Sequence, residues 1–202
     1  MWIDIGCGTG EILFSAKKMG YNIRGIDSDE KEVEFATSKG LNVFCDYITA
    51  DNASKYINEG DIISLFNVLE HLENPKELIK NISDNIEEGT FVVLEVPRHP
   101  SISSLSNLIF NEVACRHIYP PDHMHIFTEE SMEKMVKEAN LEPISIWNFG
   151  QDAYDLITSA LASRNINASK FTDRLLESVP LLQKSVDESG LSDTMIIICK
   201  KI

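Results

Sequence analysis

A strand-like run, Trp2-Ile3-Asp4-Ile5, passes straight into three alternate glycines, Gly6, Gly8 and Gly10, and then into a helical pattern through Ile12, Leu13, Ala16 and Met19. No other feature constrains the fold as tightly. A strand that ends beside a carboxylate and turns on glycines into a helix is the opening unit of an α/β sheet. Glycine takes the sharp turn at little steric cost and lets a ligand approach the backbone. The helix start beyond it offers unpaired N–H groups to a polar or anionic ligand. Spacing narrows the ligand. A dinucleotide turn needs G-x-G-x-x-G, but the sixth position from Gly6 is Glu11 and from Gly8 is Leu13. A phosphate loop needs G-K-[ST] after its glycines; Gly10 is followed by Glu11, whose charge repels a triphosphate. A glycine turn by itself serves packing as well as binding.

The rest of the chain keeps the alternation. Strand-like runs fall at 22–26, 41–45, 61–66, 90–96, 141–149 and 194–200, with helical patterns between them. Asp29 is placed to cap the second helix and Gly40 to end it. Asn74-Pro75 opens another, with Leu78, Ile79, Ile82 and Ile86 at helical spacing. Thr128 starts a further helix whose buried stripe is Met132, Met135, Val136 and Ala139. This pattern predicts one α/β domain, a mostly parallel sheet with helices on both faces. Residues 98–127 read as irregular and hold four of the five histidines. Residues 151–190 read as a helical insertion before the last strand, with helices at 152–163 and 168–184 and Pro180 kinking or ending the second. Tyr154, Ile157 and Leu161 form one apolar stripe, and Phe171, Leu175, Leu176 and Val179 a second; both are expected to be buried. The insertion reads either as a wall of a substrate site or as packing surface, a homodimer face included.

Charge excludes some partners. Eighteen Lys+Arg against 32 Asp+Glu leave a net charge of -14. Such a surface repels nucleic-acid phosphates and anionic lipid. The longest aliphatic run, Ile196-Ile197-Ile198, is far short of a membrane span, and no signal peptide is visible. Cys7, Cys45, Cys115 and Cys199 form no CxxC pair. They read as scattered thiols of a reducing compartment, the cytoplasm.

Taken together, Asp4-Ile5-Gly6-Cys7-Gly8-Thr9-Gly10, Asp27 closing the second strand, Asp46 after the third, and Phe66-Asn67-Val68-Leu69-Glu70-His71-Leu72-Glu73-Asn74-Pro75 after the fourth resemble the class I S-adenosylmethionine-dependent methyltransferases. Glu88-Gly89, Pro97 and Asp122-His123-Met124-His125-Ile126-Phe127-Thr128 continue the likeness, which covers residues 2–149 and 191–201. It implies a Rossmann-like sheet of seven strands, mostly parallel with the last antiparallel. It implies S-adenosylmethionine as cofactor, held by Asp4, Gly6, Cys7, Gly8, Gly10, Asp27, Ser28, Asp46, Asn67 and Val68. Asp27 would hold the ribose hydroxyls and Asp46 the adenine amino group. Within the superfamily the likeness runs to quinone-biosynthesis O-methyltransferases and relatives acting on sugars or lipids. Such members carry residues ahead of the glycine turn that help cover the cofactor. With the first strand at Trp2, the expectation is a truncated chain and an open cleft beside Gly8, Gly10 and Asp27.

The function expected is methyl transfer to a small-molecule acceptor, on oxygen before nitrogen or carbon. A hydroxyl acceptor wants a base, and His125, His123 and His71 are the candidates, with Asp122 placed to orient either neighbour. Three histidines with Glu70 would also suit a metal, but no spacing compels one, and none is expected. The alternatives are a nucleotide-cofactor (NAD-type) oxidoreductase and a catalytically silent protein of the same fold serving as a partner.

Overall fold

The computed structural model describes residues 1–110, 112, 117, 120–166 and 169–202. Cys115 and Ala168 lie outside the described residues. Strand β1 (Trp2–Ile5) leads through the glycine turn to α1 (Glu11–Lys18), then β2 (Ile23–Asp27), α2 (Glu30–Ser38), β3 (Val43–Cys45), α3 (Ser54–Ile57) and β4 (Ile62–Phe66). A single 3-10 turn (Leu69–His71) precedes α4 (Pro75–Asp84) and β5 (Phe91–Pro97). There follow α5 (Ile102–Ile109), α6 (Glu129–Glu138), β6 (Leu141–Phe149), α7 (Asp152–Ser163), α8 (Lys170–Glu177), α9 (Val179–Glu188) and β7 (Thr194–Lys201). The seven strands form one sheet in the order β3-β2-β1-β4-β5-β7-β6, with β7 antiparallel. Among the described residues no helix is long and apolar enough to cross a membrane.

The described residues fall into two compact units. The first comprises Met1–Val96, Glu130–Ile146 and Ile196–Ile202. Its strands β1, β2, β4 and β5 are parallel and in register, with Ile26, Ile5, Leu65 and Leu94 level across the sheet. Those four are buried, as are Ile3, Ile63 and Val92. Helix α4 adds Leu78, Ile79 and Ile82, and α6 adds Met132, Met135 and Val136. The caps read from sequence are present: Asp29 accepts from the N–H groups of Lys31 and Glu32, and Asn74 from that of Glu77, with Pro75 at the start of α4.

The second unit, Pro97–Glu129 and Trp147–Met195, is built differently. Its centre is a polar network. Asp152, fully buried, accepts from Ser103 N at 2.8 Å, Asp193 N at 3.0 Å and Gln183 Nε2 at 3.4 Å. Ser103 Oγ lies within hydrogen-bond distance of Asp155 Oδ2 and Asp193 Oδ2, and His117 Nε2 stands 3.2 Å from Asp193 Oδ2. Burial, then the neighbouring Asp193 charge, raises the Asp152 pKa above the ordinary carboxylate value.

Three expectations are corrected in this unit. Residues 98–127 are not wholly irregular, for α5 lies there, started by a reciprocal cap between Ser101 and Ser104. Its buried positions are Ser103, Ser104 and Ser106, so apolar periodicity carries no trace of it. The expected helix at 168–184 is two: Ser178 ends α8 and begins α9, where Pro180 occupies the first turn, a position that needs no N–H donor. The expected stripes are only partly covered: Ile157, Leu161, Leu175 and Val179 are half-buried. On α7 the buried residues are Asp152, Ala153 and Ser159, while Tyr154 is exposed; Phe171 and Leu176 of α8 are exposed as well.

Candidate functional site

The carboxyl edge of the first unit's sheet gathers the acids. One residue beyond the level of Ile26, Ile5, Leu65 and Leu94 come Asp27, Gly6, Phe66 and Glu95, with Phe66 and Glu95 in register. In-register residues of parallel strands project to the same face. Asp27 and Glu95 therefore share a face, with Asp4 and Ser64 two residues below them on that same face.

The glycine turn is bent as its sequence requires. Gly6 has φ 72 and Gly10 φ 82, and a Cβ at Gly6 would lie 2.4 Å from Val68 Cγ2. Asp27 reaches over this turn: its Oδ2 accepts from Gly8 N at 2.7 Å and its Oδ1 from Asp29 N at 2.8 Å. A carboxylate has about four acceptor positions, so two remain for a ligand's hydroxyls. Gly6, Asp27, Ser28, Asp46 and Val68 meet in one shallow cleft, with Tyr47 and Leu72 beside them. Of the other residues named from sequence, Gly10 caps α1 through its backbone, and Asn67 follows β4.

Asp4 is 2 % exposed, and Ser64 Oγ donates to its Oδ1 at 2.5 Å. Trp2 Nε1 in turn donates to Ser64 Oγ at 2.9 Å. Burial pushes the Asp4 pKa up to about 7, the Ser64 bond lowers it, and the nearby Asp27 charge raises it. The Cys7 thiol is pushed up to about 12 by burial and then by the charges of Asp4 and Asp27, so it stays protonated and unreactive. Asp46 Oδ2 accepts from Tyr56 Oη at 2.5 Å, with Lys55 Nζ at 3.7 Å. That Tyr56 bond leads the causes that hold the Asp46 pKa below the ordinary value.

The candidate histidines fall in both units. His71 ends the 3-10 turn of the first unit, exposed, with Nε2 4.0 Å from Glu70 Oε1. His123 and His125 belong to the second unit. His123 Nδ1 donates to the carbonyl of His117 at 2.9 Å, and the two rings stack. His125 packs its ring near Phe127. Asp122 is exposed.

Sequence reading passed over Glu95, whose signal is a charge inside the apolar run Phe91-Val92-Val93-Leu94-Glu95-Val96. It also passed over Ser64, which sheet register brings to Asp4, and Tyr56, which α3 carries to Asp46. A wider cavity lies at the opposite edge, walled by Glu59, Asp61, Glu87 and Glu88. It has no turn into a helix start, and α/β sheets bind ligands at the carboxyl edge instead.

A family model described as a methyltransferase domain matches residues 1–146. A ubiquinone biosynthesis O-methyltransferase from Bordetella avium (strain 197N) is 23 % identical over 172 residues, 82 % of this chain and 71 % of that protein. One from Shewanella pealeana is 28 % identical over 95 residues, 45 % of this chain and 40 % of that protein. A SAM-dependent methyltransferase from Archaeoglobus fulgidus superposes with a TM-score of 0.64 at 20 % identity, over 99 % of this chain and 85 % of that one, which shows the same fold. The chain belongs to this methyltransferase family, class I enzymes whose methyl donor is S-adenosylmethionine.

Proposed function

We propose that this methyltransferase moves the methyl group of S-adenosylmethionine onto an oxygen of a small-molecule acceptor. The observation that carries the reading is the Asp27–Gly8 arrangement at the carboxyl edge: a carboxylate with spare acceptor positions set across a glycine turn. Asp27 takes the ribose hydroxyls. Asp46, held by Tyr56, takes the adenine amino group. Gly6, Cys7, Gly8 and Gly10 let the backbone close on the cofactor, with Asp4, Ser28, Asn67 and Val68 completing the wall. Charge supports a sulfonium over a nicotinamide dinucleotide, since an edge carrying Asp27, Asp46 and Glu95 repels a pyrophosphate and attracts a cation. Oxygen is favoured because the relatives named above are O-methyltransferases.

S-adenosylmethionine supplies the electrophilic methyl group when bound. The chain's residues orient the nucleoside and strip water from the reacting atoms. A hydroxyl acceptor also gives up a proton. Its base is to be sought among His125, His123, His71 and the carboxylates of the edge.

The test is transfer of labelled methyl from S-adenosylmethionine to a panel of phenols, catechols, amines and carboxylic acids. Label on a phenolic or catechol oxygen is the expected result. Label on nitrogen or carbon and never on oxygen would reject the proposal.

A further inference from the structure

We infer that Glu95, held by Asn67, is the carboxylate that faces the transferable methyl and receives the proton of a neutral hydroxyl acceptor. The inference rests on reading the cleft as the S-adenosylmethionine site.

Asn67 follows β4 with φ 54, a left-handed conformation that asparagine tolerates better than most residues. That twist turns both its donors onto one residue. Asn67 N donates to the Glu95 carbonyl at 3.0 Å, and Asn67 Nδ2 donates to Glu95 Oε1 at 2.6 Å. Backbone and side chain of Glu95 are thus fixed by a single neighbour. Glu95 Oε2 has no hydrogen-bond partner among the described residues. Burial raises the Glu95 pKa above the ordinary carboxylate value, and the Asn67 bond opposes this. A more basic carboxylate is a better proton acceptor.

Position assigns the role. Asp27 on β2 and Glu95 on β5 share one level and one face, separated by β1 and β4. Three strand spacings of about 4.8 Å place them roughly 14 Å apart. Asp27 and Asp46 would hold the nucleoside at the β2 and β3 end of this edge, and the sulfonium end would then extend along it toward β4. Glu95 stands one strand further on, where an acceptor must sit for in-line attack. In the transfer, the acceptor oxygen bonds to the methyl carbon and its proton passes to Glu95. The carbon–sulfur bond breaks with its electron pair going to sulfur, leaving a neutral thioether. The same carboxylate repels a carboxylate acceptor and retains a hydroxyl that donates to it, so the acceptor class is a neutral alcohol or phenol.

Sinefungin carries an ammonium where S-adenosylmethionine carries its methyl, and S-adenosylhomocysteine carries neither. Calorimetry with both separates this role from general support of the cleft. Glu95→Gln should weaken sinefungin by about tenfold, the value of one hydrogen bond to a charged group, and change S-adenosylhomocysteine by less than about twofold. Glu95→Asp, with its carboxylate drawn back, should fall between. Equal losses for both analogues, or no loss for either, would overturn the inference. If wild-type protein binds neither analogue, the reading of the cleft fails and the inference with it.

Discussion

The sheet unit closes over Ile3, Ile5, Ile26, Ile63, Leu65 and Leu94, all apolar and at most 2 % exposed. The second unit closes over Ser103, Ser104, Asp152 and Asp193, while Leu105, Leu108, Phe171 and Leu181 face solvent. An apolar interior gains from area and volume, with no required direction. A polar interior depends on each donor meeting its acceptor, so a single missing oxygen is felt by every partner. The two units should therefore answer differently to the same kind of substitution.

The largest effect is expected at Asp152. Asp152→Ala leaves the N–H groups of Ser103 and Asp193 without their acceptor and should cost about 3–5 kcal/mol in urea unfolding. Leu65→Ala in the sheet unit should cost about 2–5 kcal/mol by cavity formation alone. A loss at Asp152 under about 1 kcal/mol would remove the distinction between the units.

The sheet unit has its own buried acid in Asp4, and it sharpens the contrast through pH. Its folded pKa, about 7, exceeds the ordinary value, so the native state holds the proton more tightly than the unfolded chain. Stability from this group is fully present below about pH 4 and is lost as pH rises toward 7. Asp4→Asn cannot ionise and keeps an oxygen for Ser64. Without cofactor it should match wild type in acid and exceed it by roughly 2–4 kcal/mol at pH 8. Parallel stability curves across that window would show that Asp4 is not held protonated.

The division also explains what could be read from residues alone. The bounds of β1 and β6, the cap at Asn74-Pro75 and the α6 stripe were legible, because apolar periodicity and capping chemistry are local signals. So was the cleft lining of Gly6, Asp27, Ser28 and Asp46, since each stands at a strand's last residue or just after it. The second unit was legible only as helical. Its fully buried positions on α5 and α7 are mostly serine and aspartate, while of the residues whose spacing suggested burial Tyr154, Phe171 and Leu176 are exposed and Leu161 and Leu175 only half-buried. Glu95 was hidden for another reason: its partner Asn67 is 28 positions away and arrives through sheet register.

The smallest effect is expected at the exposed apolar side chains of α8 and α9. Phe171→Ser and Leu181→Ser alter side chains that are 69 % and 71 % exposed. Each should change stability by no more than about 0.5 kcal/mol. A loss several times larger in either variant would mean that these helices do rely on an apolar face, and the contrast between the units would weaken.

The central claim is that Asp27 and the glycine turn hold the nucleoside of S-adenosylmethionine. Titration calorimetry of S-adenosylhomocysteine into wild type and Asp27→Ala tests it, with the melting of each free protein recorded alongside. Loss of two hydrogen bonds to a carboxylate should weaken binding by about a hundredfold, while the free variant still melts cooperatively. Undiminished affinity in Asp27→Ala would contradict the account.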